Sequence, residues 1–272
     1  MSQLEKIQHI VCVASGKGGV GKSTTAANLA IALKQQGFVV GLLDADIYGP
    51  SLPLVMGIPA GTRPQIKDKR VMLPLVAHGV ECNSMGFLVD EKTAVVWRAP
   101  MVVSAFNQIL NDTEWSALDY LIVDMPPGTG DIQLSLAQNV AVSGAIIVTT
   151  PQDIALSDAR KGIEMFAKVN VPILGVVENM SIHLCSECGH AEAIFGSGGG
   201  DRLAQDYSVE VIGRLPLDIT IREQTDRGVP VVASQSKSAI IDAYTSLAQA
   251  VHAQTLAQAA QAQMPTLSVE DD

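Results

Sequence analysis

The spacing of apolar residues alternates along the chain between continuous runs, which are typical of buried strands, and a three-to-four-residue period, which is typical of helices. Strands are predicted for residues 10–13, 38–43, 80–85, 94–97, 119–124, 145–149, 171–177 and 209–215. Helices are predicted for residues 26–33, 102–110, 155–169, 219–227 and 238–261. Because strands and helices alternate, we expect an α/β fold with a mostly parallel central sheet and helices on both faces.

Two stretches interrupt this alternation. Residues 50–79 are rich in Pro and Gly and weakly periodic, which predicts a surface excursion with a short hairpin near residues 65–73. Residues 181–200 are rich in Cys, His and Gly and predict a metal-binding loop. We expect one domain over residues 1–262 that includes this loop, followed by an acidic, disordered tail over residues 263–272.

A glycine-rich turn joins the first predicted strand to the first helix. Gly16, Gly21, Lys22 and Ser23 occupy the fixed positions of the G-x-x-x-x-G-K-[ST] phosphate-binding loop, or P-loop. In such a loop backbone N–H groups converge on phosphate oxygens, the Lys reaches the β- and γ-phosphates, and the Ser hydroxyl ligates Mg²⁺. A simple tight turn would not explain why Lys-Ser follows the glycines. The predicted nucleotide-binding residues here are Gly16, Gly18, Gly19, Val20, Gly21, Lys22, Ser23 and Thr24.

Aspartates follow two of the predicted strands. Asp44 and Asp46 come after residues 38–43, and Asp124 ends the apolar run 119–124, as in a Walker B strand. Because ligands bind at the carboxyl ends of parallel strands, we predict that these carboxylates lie beside the P-loop. Asp46 is predicted to orient or deprotonate the attacking water, and Asp44 and Asp124 to support the magnesium shell. The alternative for Asp44 or Asp46 is a capping role in the following turn.

Three polar or turn residues follow the later strands. Asn179 stands after residues 171–177, and Pro216 and Asp218 stand after residues 209–215. An Asn side chain offers a paired donor and acceptor that match the adenine edge, although a turn Asn has the same local sequence. We predict that Asn179, Pro216 and Asp218 belong to the nucleotide-binding site.

The cysteines fall into two groups. Cys12 and Cys82 lie in apolar, strand-like surroundings and are predicted to be core residues. Cys185 and Cys188 form a Cys-x-x-Cys pair, which supplies half of a four-thiolate metal site. His183 and His190 would complete a zinc site within the chain, or a twofold dimer would bring two pairs together around one [4Fe-4S] cluster. A redox pair or an idle pair is a further alternative.

Composition excludes several classes of partner. The chain has 272 residues, 47% of them hydrophobic. It contains 18 Lys and Arg and 28 Asp and Glu, which gives a net charge of -10. This balance argues against a broad nucleic-acid surface. No apolar stretch approaches the roughly 20 residues that span a bilayer, so no membrane partner is expected. Four cysteines are too few for a disulfide framework and fit a reducing, cytoplasmic location.

The stretch from Lys17 to Thr24 resembles the deviant Walker A motif of the MinD/Mrp/ParA group of P-loop ATPases. With the acidic motifs, Glu178-Asn-Met-Ser181 and the Cys pair in order, the chain resembles the Mrp/ApbC branch of that group. The resemblance implies a homodimer in which Lys17 reaches the partner's nucleotide, and catalytic roles for Lys17, Lys22 and Asp46. It also implies weak ATP hydrolysis and a [4Fe-4S] cluster, held between subunits by Cys185 and Cys188 and delivered to apoproteins.

Two alternatives to this function stay open at the level of sequence. A positioning or partitioning ATPase of the MinD/ParA kind would act as a switch on a membrane or on DNA. The acidic charge and the lack of a basic amphipathic tail count against this alternative. A P-loop protein stabilised by structural zinc is the other.

Overall fold

The computed structural model describes residues 3–88, 99–128, 130–185, 187–234 and 238–262. The strands are β1 Ile7–Ala14, β2 Val40–Asp44, β3 Ile66–Lys67, β4 Val71–Met72, β5 Leu75–Ala77, β6 Val80–Ser84, β7 Leu118–Asp124, β8 Gly144–Thr149, β9 Ile173–Glu178, β10 His183–Leu184, β11 Ala191–Glu192 and β12 Val211–Arg214. The helices are α1 Lys22–Gln35, α2 Leu52–Val55, α3 Ala99–Asp112, α4 Asp131–Asn139, α5 Asp153–Lys168, α6 Gly199–Tyr207, α7 Ile219–Asp226 and α8 Ala239–Ala262.

Eight strands form one sheet in the order β12-β9-β8-β1-β7-β2-β6-β5. Neighbouring strands are parallel except at the edge, where β5 runs antiparallel to β6. The central strand β1 lies between β7 and β8, so the chain segments that follow these three strands meet at one edge of the sheet. The predicted α/β fold with a mostly parallel sheet is confirmed.

Helices cover both faces of this sheet because its central strands are apolar on both sides. Val11 and Val13 of β1 belong to a core that includes residues of α1 and α8. Ile10 and Cys12, which alternate with them, belong to the core on the other face, with residues of α3 and α5. Successive strand residues therefore enter opposite cores.

The predicted core positions of two cysteines are confirmed. Cys12 and Cys82 are each 0% exposed. Burial raises the pKa of both thiols, that of Cys82 to about 12. Because a thiol rather than a thiolate is favoured, neither side chain suits metal binding.

Several elements differ from the sequence-based expectation. The structure has helices α4 and α6, the short helix α2 and the hairpin β10–β11, which the apolar spacing did not indicate. Helices α4 and α6 begin at glycine-rich sequence, which is typical of loops. The short hairpin at residues 65–73 is confirmed as β3 paired with β4. The strand predicted at residues 94–97 and the tail at residues 263–272 lie outside the described residues.

Within the described ranges, no helix has the length and apolar character that crossing a membrane requires.

Candidate functional site

The P-loop connects the end of β1 to the start of α1. Its glycines make close backbone approaches that a side chain would prevent. A Cβ on Gly16 would lie 2.1 Å from the backbone carbonyl carbon of Asp158 in α5. Gly21 caps α1 in the left-handed region at φ 85°, and Gly19 has φ 82°. The loop is therefore fixed by its contacts and by its backbone conformation.

Gly21→Ala is expected to lower the free energy of unfolding by about 1–3 kcal/mol, because the left-handed backbone disfavours a Cβ. That Cβ would also lie 2.2 Å from Nδ2 of Asn179. Urea denaturation measures the change. Gly18→Ala is the matched control, since a Cβ on Gly18 has no heavy atom within 4 Å and its φ lies outside the left-handed region. Equal stabilities of the two variants would contradict this account.

Lys22 and Asp124 form a buried ion pair between the P-loop and the end of β7. Lys22 Nζ lies 2.5 Å from Asp124 Oδ1, and the side chains are 7% and 0% exposed. Lys22 also donates a hydrogen bond to Ser23 Oγ at 3.3 Å. Burial raises the pKa of Asp124, and the charge of Lys22 opposes this shift. The structure thus brings three predicted site residues together.

The second carboxylate oxygen of Asp124 is relevant to the predicted magnesium site. Oδ2 is buried and has no hydrogen-bond partner in the part of the chain that the structure describes. A buried acceptor without a partner is costly and points to a missing donor or ion. The Ser23 hydroxyl also lies beside this carboxyl group. Hydroxyl and carboxylate oxygens are ligands that suit Mg²⁺, so the residues present fit the predicted ion.

Asp44 lies beside Asp124 on the neighbouring strand β2. Its carboxylate accepts hydrogen bonds from the backbone N–H of Asp46 at 3.0 Å, from that of Leu52 at 3.2 Å and from Ser84 Oγ at 2.9 Å. Burial, followed by the charge of Asp124, raises the pKa of Asp44 to about 7. These contacts hold the segment that carries Asp46. The magnesium-shell role of Asp44 stays a prediction.

A cavity of about 290 Å³ adjoins the P-loop. The predicted residues Asn179, Pro216 and Asp218 line it together with Gly21 and Thr24. Nothing in the local sequence pattern singled out the residues that α7 and α8 add to its lining, among them Ile221, Arg222 and Tyr244.

Two of the residues that line the cavity also make hydrogen bonds that hold the fold together. Asn179 Nδ2 donates a 2.7 Å hydrogen bond to the Val20 carbonyl, so its amide braces the P-loop. Asp218 caps α7 by accepting a hydrogen bond from the Thr220 N–H at 2.7 Å. Their positions agree with the predicted site, while direct contact with adenine stays a prediction.

The Cys pair lies where strands β10 and β11 of the small hairpin connect. The Cys185 N–H donates to the His190 carbonyl and the Gly189 N–H donates to the Cys185 carbonyl, both at 2.9 Å. Cys188 is exposed and Cys185 is half-buried. The hairpin therefore places both cysteines at the surface of the protein.

Hydrogen bonds favour the thiolate of Cys185. The N–H groups of Cys188 and Glu187, and then the Cys188 thiol, lower the pKa of Cys185. A thiolate is the form of cysteine that binds soft metals. The hydrogen bonds within the loop thus favour the metal-binding form of Cys185.

The histidines near this pair do not complete a metal site. His183 donates from Nδ1 to the Leu217 carbonyl at 3.0 Å. Across the described ranges, no three His, Cys, Asp or Glu side chains are placed to hold one ion. A closed zinc site formed by Cys185, Cys188, His183 and His190 is therefore not assembled in this chain.

The chain is similar to known proteins over most of its length. A family model described as NUBPL iron-transfer P-loop NTPase matches residues 6–252. The iron-sulfur cluster carrier protein of Pseudomonas fragi is 60% identical over 245 residues, which cover 90% of this chain and 85% of that protein.

Solved structures show the same fold. A nucleotide-binding protein of Archaeoglobus fulgidus in complex with ADP is 35% identical, with a TM-score of 0.75 and coverage of 86% of this chain and 91% of that one. The cell division ATPase MinD of Pyrococcus furiosus, at 24% identity, has a TM-score of 0.66 over 90% of this chain and 99% of that one. The MinD likeness shows the fold alone. The family match and the identity to the carrier show that this chain belongs to the iron-sulfur cluster carrier family of P-loop NTPases.

Proposed function

We propose that the chain is an ATP-hydrolysing carrier that holds a [4Fe-4S] cluster at a homodimer interface and transfers it to apoproteins. One observation supports this most directly: a pair of surface cysteines, one exposed and one half-buried, on a hairpin that contacts the cavity residue Leu217, with no third ligand in the described ranges. A carrier must bind its cargo firmly and still expose it to a recipient. A two-thiolate surface site meets both needs.

The incomplete ligand set is the reason to invoke a second copy. A [4Fe-4S] cluster takes four thiolates. Cys185 and Cys188 supply two of these, so a twofold dimer would supply the full set. The lowered pKa of Cys185 favours the ligating thiolate. Iron-sulfur apoproteins would approach the same surface to receive the cluster.

The residues of the predicted nucleotide site are the basis for the proposed hydrolysis of ATP. The P-loop would bind the phosphates, and Ser23 with Asp124 would hold Mg²⁺, which neutralises phosphate charge. Asp46, 9% exposed, would orient the attacking water. Lys17 is half-buried at the start of the loop and would act on the partner's nucleotide. Dimerisation would then join the two ATP sites and the two Cys pairs.

The metal content of the reconstituted protein tests this proposal. After anaerobic reconstitution we expect about two irons and two sulfides per chain, because one four-iron cluster is shared by two chains. Iron, acid-labile sulfide and zinc are measured together with the native mass, which should be that of a dimer. Zinc without sulfide would overturn the carrier proposal and favour a structural metal site. A monomer with a full cluster would overturn the shared site.

A further inference from the structure

The cysteine loop, defined here as residues 181–198, leaves and returns to one place in the fold. At its start, the Ser181 N–H donates to the Leu215 carbonyl at 3.0 Å. Just beyond its end, in the first turn of α6, the Gly200 N–H donates to Oε2 of Glu178 at 2.6 Å. Glu178 is the last residue of β9, and the Leu215 N–H donates to its carbonyl at 3.0 Å. Both ends of the loop are therefore attached at the end of one buried strand.

The Glu178 side chain is a close-fitting anchor for the returning end. It is 3% exposed, and a Cβ on Gly200 would lie 3.0 Å from Oε2 and 3.1 Å from the Cβ of Glu178. Its charge stands at the N-terminal end of α6, where the helix dipole favours an anion. Its other oxygen lies 3.8 Å from Nε of Arg214. A buried, charge-assisted hydrogen bond of this kind is a strong restraint.

The adjacent residue reaches the nucleotide site. Asn179 donates from Nδ2 to the Val20 carbonyl of the P-loop at 2.7 Å, and its own N–H donates to the Thr149 carbonyl at 2.8 Å. Two consecutive residues at the end of β9 thus hold the P-loop on one side and the cysteine loop on the other. A shift of the P-loop on nucleotide binding would be transmitted to the Glu178 anchor through one peptide unit.

We propose that Glu178 is a positioning residue for cluster carriage, which fixes the cysteine loop and makes cluster release respond to the bound nucleotide. This inference rests on the proposed function, because it takes Cys185 and Cys188 as the cluster ligands. Glu178 itself does not line the cavity beside the P-loop; it lines a neighbouring cavity, to which Pro216 and Asp218 also contribute.

The rate of cluster release tests the role of Glu178. The full reconstituted chain is mixed with an iron chelator, with and without Mg-ATP, and loss of the cluster is monitored by visible absorbance. In Glu178→Ala we expect release about tenfold faster, because one charge-assisted hydrogen bond is lost. The ratio of the rates with and without ATP should fall to about one, since the link to the P-loop is cut. Glu178→Gln keeps an acceptor for the Gly200 N–H and should restore much of the wild-type behaviour.

Asp201→Asn is the matched control. Asp201 lies in α6 and pairs with Arg214, but its side chain is 61% exposed and does not anchor the loop. The control should release its cluster at the wild-type rate and keep the ATP effect. Wild-type behaviour of Glu178→Ala, or a wild-type protein whose release ignores ATP, would overturn the inference. A wild-type protein that binds no cluster would instead overturn the proposed function.

ADP binding and thermal melting show whether Glu178→Ala folds. If it does not fold, a comparison of Glu178→Asp with Glu178→Gln takes its place. Glu178→Asp keeps the charge but withdraws the carboxylate by one methylene group. We expect it to release the cluster faster than Glu178→Gln, because the Gly200 N–H loses its acceptor. Wild-type release by both of these variants would overturn the inference.

Discussion

Cys185→Ala and Cys188→Ala are each expected to abolish cluster binding while nucleotide binding stays near the wild-type value. Removing one thiolate from each pair leaves a dimer with two cluster ligands in place of the four that a [4Fe-4S] cluster takes. The P-loop should be unaffected, since both cysteines lie on the surface hairpin rather than in either buried core. Iron and sulfide analysis after reconstitution, with ADP titration of the same samples, measures both properties.

Cys82→Ala serves as the control for loss of a thiol. Cys82 is fully buried in β6, so the variant loses a small core side chain but no surface ligand. It should hold the wild-type amount of cluster at a stability cost of about 1 kcal/mol. Full cluster in both Cys185→Ala and Cys188→Ala would refute ligation by this pair.

His183→Ala should also retain the cluster, because the ring contacts the Leu217 carbonyl.

Much of the fold could be predicted because its strands are buried on both faces. Such strands are apolar runs, and the runs at residues 119–124 and 145–149 correspond to β7 and β8. Helix α6 was not predictable from local sequence, since it starts in the triple glycine at Gly198–Gly200. Its first turn is stabilised by the Glu178 carboxylate, which lies 22 residues earlier in the chain. Contacts of that kind leave no signal in the periodicity.

The site shows the same division between local motifs and tertiary contacts. The P-loop motif correctly placed the turn between β1 and α1, because its glycines and Lys-Ser pair are a local requirement. The ion pair of Lys22 with Asp124 spans 102 residues and follows from the sheet order. Oδ2 of Asp44 accepts hydrogen bonds from the Leu52 N–H and from Ser84 Oγ, which the folded structure brings near. Neither contact could be read from spacing.

Lys22→Ala and Lys17→Ala are both expected to suppress ATP hydrolysis by at least about a hundredfold, the scale of losing one charged stabiliser of the transition state. They should differ in nucleotide binding. Lys22 is buried beside Asp124, so its loss leaves a buried carboxylate without its ion-pair partner. We expect this change to lower the free energy of unfolding by about 3–5 kcal/mol. Lys17 is half-buried and has no such pairing among the described ion pairs. Lys17→Ala should therefore bind nucleotide better than Lys22→Ala, as measured by ADP titration.

A mixing experiment decides whether Lys17 acts across the dimer. Lys17→Ala and Asp46→Asn are each expected to be inactive as homodimers. In a mixed dimer, the nucleotide on the Lys17→Ala subunit has its own Asp46 and receives Lys17 from the other subunit. Random exchange should therefore restore about a quarter of wild-type hydrolysis, as expected for a charge supplied in trans. If mixing restores no activity although native mass shows mixed dimers, Lys17 acts on its own nucleotide. Lys34→Ala, an exposed lysine in the last turn of α1, should leave hydrolysis unchanged throughout.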